Sequence, residues 1–170
     1  MKTKYKILLG TIGLIFISFI FYAGAWLFAP GSYARAEIYE LAISEDSLVQ
    51  IVKYIKTENP ELDLDQNNNT KDLGLIEGRH GESDHWYHIY FYYPDKNQIV
   101  YTWARQLSKT TVSFAFVAVN DGLTLGNWTD VNSEFWWWKN KPAKIEFEKR
   151  ILKEIETKIK ERKPNTVYKK

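Results

Sequence analysis

Hydrophobic residues along the chain follow three different patterns. The first is an unbroken apolar run from Ile7 to Phe28, 22 residues without a charge. At about 1.5 Å per residue it forms a helix roughly 33 Å long, enough to cross a bilayer core of about 30 Å. The second is helical spacing. Leu48, Ile51, Val52 and Ile55 make one apolar stripe, and Phe147, Ile151, Leu152, Ile155 and Ile159 make another. Ser44 precedes the first stripe as an N-cap, Glu45 and Asp46 suit its dipole, and Asn59-Pro60 stops it. Pro142 suits the first turn of the second helix.

The third pattern is dense aromatic and β-branched sequence, in Trp86–Tyr93, Ile99–Trp103 and Thr110–Val119. Pro94-Asp95-Lys96-Asn97 is a turn: Pro presets φ, and Asn tolerates the left-handed region. A four-residue turn pairs Tyr93 with Gln98. A third strand follows the link Gln106–Lys109, and Asn120-Asp121-Gly122 marks a turn into a short fourth strand at Leu123–Leu125. Glu61–Gly81 reads as a polar loop with room for a short strand at Leu73–Ile76. Asn127–Asn140 reads as irregular.

These patterns predict an α+β fold: an N-terminal transmembrane helix, then an antiparallel sheet of three or four strands packed against two helices. The expected layout is a basic flank at 1–6, an anchor at 7–28, a linker at 29–43, a domain at 44–163 and a basic tail at 164–170. Within the linker, Ile38, Leu41 and Ile43 are compatible with either a strand or a helical extension.

Charge orients the anchor. Lys2, Lys4 and Lys6 precede it, whereas Arg35, Glu37 and Glu40 follow. The positive-inside rule keeps the N-terminus in the cytoplasm and places the rest outside it, periplasmic or extracellular. Pro30-Gly31 ends the helix, and membrane lipid around 7–28 is the first expected partner. A cleaved signal is the rival, since Ala34-Arg35-Ala36 is an A-x-A site. A signal core of about 7–15 apolar residues is shorter than this run.

Composition narrows the chemistry. There is no cysteine, which excludes disulfides, thiolate metal sites and cysteine nucleophiles. Aromatic residues make up 16% of the chain, which argues for a packed core. The net charge of +2 conceals a segregation. Residues 37–95 hold thirteen Asp/Glu against four Lys/Arg, and residues 96–170 hold eight against fifteen. The two halves are expected to attract one another.

The hairpin register puts His88, Tyr90 and Tyr92 on one face with Tyr101, Trp103 and Arg105. Ile89, Phe91, Val100, Thr102 and Ala104 lie on the other, drier face, which suits the helices. The aromatic face is either an open platform for sugar rings, bases or an apolar partner, or is itself covered by Trp136–Trp138 or the second helix. Trp136, Trp137 and Trp138, with Lys139, Lys141 and Lys144 behind them, are a second binding candidate. Trp and Lys settle at membrane interfaces. Three consecutive rings cannot all enter one core, so two buried and one exposed is the simplest arrangement.

His80, His85 and His88 sit near Glu82 and Asp84. His85 and His88, three apart, point to opposite faces of a strand, so no metal is expected there. Asp63-x-Asp65-x-Asn67 begins like a calcium loop but lacks its glycine and its final glutamate. Asn68-Asn69-Thr70 and Asn127-Trp128-Thr129 are glycosylation triplets. No G-x-S-x-G, H-E-x-x-H or phosphate-cradling glycine loop occurs, so no catalytic residue and no cofactor is assigned. The expected function is a membrane-anchored, non-catalytic binding or accessory domain with a protein or glycan partner. The alternative is a tethered hydrolase-like enzyme using a His and an acid of the 80–88 loop. Nucleic-acid binding needs a cytoplasmic domain, which the expected topology opposes.

Overall fold

The computed structural model describes residues 2–28, 33–64 and 73–162. Its contacts divide the chain into a unit ending at Ala34 and a unit starting at Arg35. The first unit is helix α1 (Lys2–Leu27). Its large apolar side chains from Ile7 to Leu27 are exposed, except Trp26, which is half-buried. The stretch Thr3–Leu27 is long and apolar enough to cross a membrane. Pro30 and Gly31 lie outside the described residues, as do Asp65, Asn67, the 68–70 triplet and the tail 164–170.

The second unit is built on five antiparallel strands: β1 (Glu37–Leu41), β2 (Tyr87–Tyr93), β3 (Gln98–Ser108), β4 (Thr111–Asp121) and β5 (Trp128–Asp130). Their order is β1-β4-β3-β2, with β5 also paired to β4. The hairpin has the expected register, Tyr93 opposite Gln98, and Asn97 takes the left-handed conformation at φ 51°. β1 pairs with Val112–Phe116 and β5 with Ala118–Asn120, so both extend the side of β4 away from β3. The register of β3 and β4 shifts between Tyr101 and Thr102, where Val117 is left over. That bulge keeps Phe116, Phe114 and Val112 on the same face as Val100 and Ala104.

The sheet has five strands rather than the three or four expected, and three assignments behind that number need correction. Residues 37–41, assigned to a linker, are a strand: β1 lays Tyr39 and Leu41 onto the core, and a five-residue alternation was too short to separate from helix. The fourth strand is not at Leu123–Leu125 but at Trp128–Asp130, because Asn120 takes up the intervening turn. Its side-chain Nδ2 donates to the carbonyls of Gly122 and Thr124, and its Oδ1 accepts the Asn127 N–H. Leu73–Ile76 forms no strand, although Gly78 makes one bridge with His88.

The drier face packs under helices, as its composition demands. Helix α2 (Glu45–Glu58) starts at the Ser44 cap, whose hydroxyl accepts the Ser47 N–H, and buries Leu48, Ile51, Val52 and Ile55. A C-terminal helical stretch follows: α3 (Lys141–Phe147), a π-helical turn (Glu148–Leu152) and α4 (Lys153–Arg162). Phe147 is its anchor, fully buried and stacked on Phe116 at 4.5 Å, with Tyr39 at 5.8 Å on another side. Each such ring contributes about 1.5–3 kcal/mol by leaving water. The segregated charges meet across this layer, in Glu37–Lys144 at 3.1 Å, Glu58–Lys158 at 3.0 Å and a bidentate Asp95–Arg150 pair.

Candidate functional site

The aromatic platform is where the register places it, but it is not open. His88, Tyr90, Tyr92 and Trp103 are buried, Tyr101 is half-buried, and only Arg105 is exposed. Neither Trp136–Trp138 nor the second helix supplies the cover. Leu64, Leu73, Leu75, Leu123 and Trp128 pack with Tyr90, Tyr92 and Tyr101, while His80 stacks on His88 and Trp86 meets Trp103 edge-on. This covering is a loop, and two ion pairs hold it to α2. Glu45 and Lys56 lie eleven residues apart, three helical turns, and so share a side of the helix. Both are buried; Glu45 binds Arg79, and Lys56 binds Glu77. The second Glu45 oxygen accepts the Gln106 N–H at 2.9 Å.

The same loop closes the free edge of β2. Gly78 exchanges both backbone hydrogen bonds with His88, and the Glu77 carboxylate accepts the Tyr90 N–H at 2.9 Å. An open edge invites strand addition, and this one is occupied. Gly78 sits at φ 119°, a conformation that side chains rarely adopt.

The bridge also assembles a polar cluster that sequence spacing did not reveal. It brings His80 and Asp84 to His88, and leaves His85 packed edge-on against Trp86 instead. The His80 and His88 rings stack at 4.0 Å. His88 Nε2 lies 3.0 Å from Asp84 Oδ2, and its Nδ1 lies 2.6 Å from the Tyr101 hydroxyl. An ionised carboxylate only accepts, so Nε2 carries the proton and Nδ1 accepts from the phenol. Asp84 accepts the His80 N–H with one oxygen and the Trp86 N–H with the other. Those backbone donors, His80 first, hold its carboxyl at about 2. His88 is held below the usual imidazole range, mainly by burial. Both of its nitrogens are engaged inside the protein, so it cannot serve an external substrate as a base without giving one partner up. The sequence signal for the cluster was the spacing His80-x3-Asp84-x3-His88, which becomes informative only once the Gly78 bridge folds the loop back.

The tryptophan turn departs from expectation in the other direction. No ring of the three is core: Trp136 is 42% exposed, Trp137 55% and Trp138 51%. Trp136 and Trp138 stack at 4.9 Å, Trp137 meets Trp138 edge-on, and Lys141 Nζ lies 4.3 Å over the Trp137 ring. The turn is fixed from below. Buried Asn140 exchanges two side-chain hydrogen bonds with Glu134, at 3.1 and 3.0 Å. Upstream, Asn132 donates from its amide and its side chain to the Arg35 carbonyl. The rings are thus displayed on a braced turn that begins next to the N-terminal end of the unit.

No protein-family model, curated protein or solved structure matches this chain.

Proposed function

We propose that the chain is a single-pass membrane protein whose unit from Arg35 onward lies outside the cytoplasm. That unit is a non-catalytic binding or accessory domain, and its contact surface is the turn Trp136–Trp138. The observation that carries this reading is the exposure of three adjacent indoles on a turn that Asn140 and Asn132 hold in place. Large exposed rings cost solvation and invite aggregation, whereas a braced array of them serves as a ready anchor for a protein or glycan partner. Rigid indoles lose little conformational freedom on binding. The anchor rests on the length of α1 and the three lysines before the apolar run.

Two measurements test the reading. A C-terminal reporter is expected to be active only outside the cytoplasm; cytosolic activity refutes the topology. Crosslinking in intact membranes is expected to give an adduct from a photoreactive residue at position 137 that Trp136→Ala and Trp138→Ala abolish. Equal capture by all variants removes the tryptophan surface.

A second reading, a tethered hydrolase-like enzyme, draws on the convergence of His80, Asp84 and His88 with Tyr101. Any hydrolytic activity surviving His80→Ala together with Tyr101→Phe excludes it.

A further inference from the structure

The residues His80, Asp84 and His88 lie apart from the tryptophan turn and support an inference independent of it. From their geometry we propose that they bind one divalent transition-metal ion, with Zn²⁺ the best fit and water in the fourth position.

One ligand atom from each residue lies within 4.8 Å of the other two. Tetrahedral zinc with bonds near 2.0–2.2 Å needs ligand atoms roughly 3.3 Å apart, so the cluster must contract by about 1.5 Å. His88 and Asp84 already stand 3.0 Å apart through Nε2 and Oδ2, and the ion takes the place of the proton between them. That proton moves to Nδ1, which then donates to the Tyr101 oxygen, so the ring stays neutral. The contraction falls on His80. Its ring stacks on His88 within 15° of parallel, and two parallel stacked imidazoles cannot aim in-plane lone pairs at one ion. His80 is exposed, however, on a turn bounded by Gly78 and Gly81, so its ring can pivot out of the stack about the Nε2 contact to the Ile76 carbonyl.

The outer partners of the three side chains are those that metal ligands use. His80 Nε2 is 3.0 Å from the Ile76 carbonyl, an acceptor only, so Nε2 carries the proton and Nδ1 keeps its lone pair for the ion. Tyr101 holds the second nitrogen of His88, and the Trp86 N–H holds the other oxygen of Asp84. An open hollow of about 400 Å³, lined by Gly74, Ile76, Arg79, His80 and Gly81, adjoins the cluster and leaves room for the fourth ligand. Two imidazoles and one carboxylate favour zinc over calcium or magnesium, which prefer all-oxygen sets.

Zinc chloride alone is titrated into the full chain in detergent, with heat of binding and thermal melting as readouts. One equivalent is expected to bind saturably and to raise the melting temperature. Co²⁺ in its place is expected to give the visible absorption of a four-coordinate site. His80→Ala changes an exposed residue and keeps the fold; it should weaken binding at least about tenfold, as should Asp84→Asn. His85→Ala should change nothing. The proposal is overturned if zinc neither binds nor shifts the melt, if His80→Ala binds as tightly as the unaltered chain, or if His85→Ala loses as much as His80→Ala.

Discussion

The two faces of this sheet share a backbone but are covered in different ways. Helices cover one. Its residues (Ile89, Phe91, Val100, Ala104, Phe114 and Phe116) are apolar and fully or nearly fully buried, and Phe147 fills the gap between them and the C-terminal helices. A loop and a short turn cover the other. There the rings carry polar tips, and several are answered within the protein: Tyr101 by His88, Tyr92 by Asn97 at 2.8 Å, His88 by Asp84. A helix satisfies its own backbone and can present only side chains to a sheet, so the layer beneath it can be dry. A loop brings unpaired backbone groups, and the face beneath it needs hydrogen-bonding side chains. That is why the chemically versatile cluster forms under the loop rather than under the helices.

The sharpest break of this comparison is Phe147→Ala. It leaves a cavity against Phe116 and Phe114, and we expect a loss of about 3–5 kcal/mol in denaturant unfolding. A loss below about 1 kcal/mol contradicts the claim that this face carries the stability. Lys56→Met acts on the other cover by releasing the Glu77 segment from α2. We expect about 2 kcal/mol, less than for a wholly buried pair because Glu77 retains some water. Hydrogen exchange at Gly78 and His88 should rise well before exchange at Phe114 does.

Acid discriminates between the faces next. His88 is neutral and buried, with a folded pKa below its unfolded value, so the unfolded chain takes up the proton first. Its contribution is complete above about pH 6.5 and fades below that. Asp84, held at about 2, adds stability that is complete above about pH 4 and is lost toward pH 2. Urea unfolding across this range should show both steps, and His88→Gln should remove only the upper one. The smallest effect belongs to Trp138→Ala. Its exposed ring should change stability by no more than about 0.5 kcal/mol, so any loss of crosslinking from position 137 reports contact rather than folding.

Much of the architecture was readable from residue order, because it depends on local periodicity. The stripes Leu48–Ile55 and Phe147–Ile159, the Ser44 cap and the Asn97 turn are settled by neighbours within a few positions, and all appear as expected. The division of the hairpin into two faces follows from the two-residue pleat. What lies over a face does not. Trp103 and Trp137 are the same residue type in similarly aromatic surroundings, yet one is buried and the other displayed. What covers the aromatic face depends likewise on where the loop carrying Leu73 and Leu75 comes to rest, on the Glu45 and Lys56 grips that hold it, and on the Gly78 bridge that brings His80 to His88. These are contacts between segments distant along the chain, so no pattern within one segment encodes them, and they became visible only when the strands and the loop were assembled.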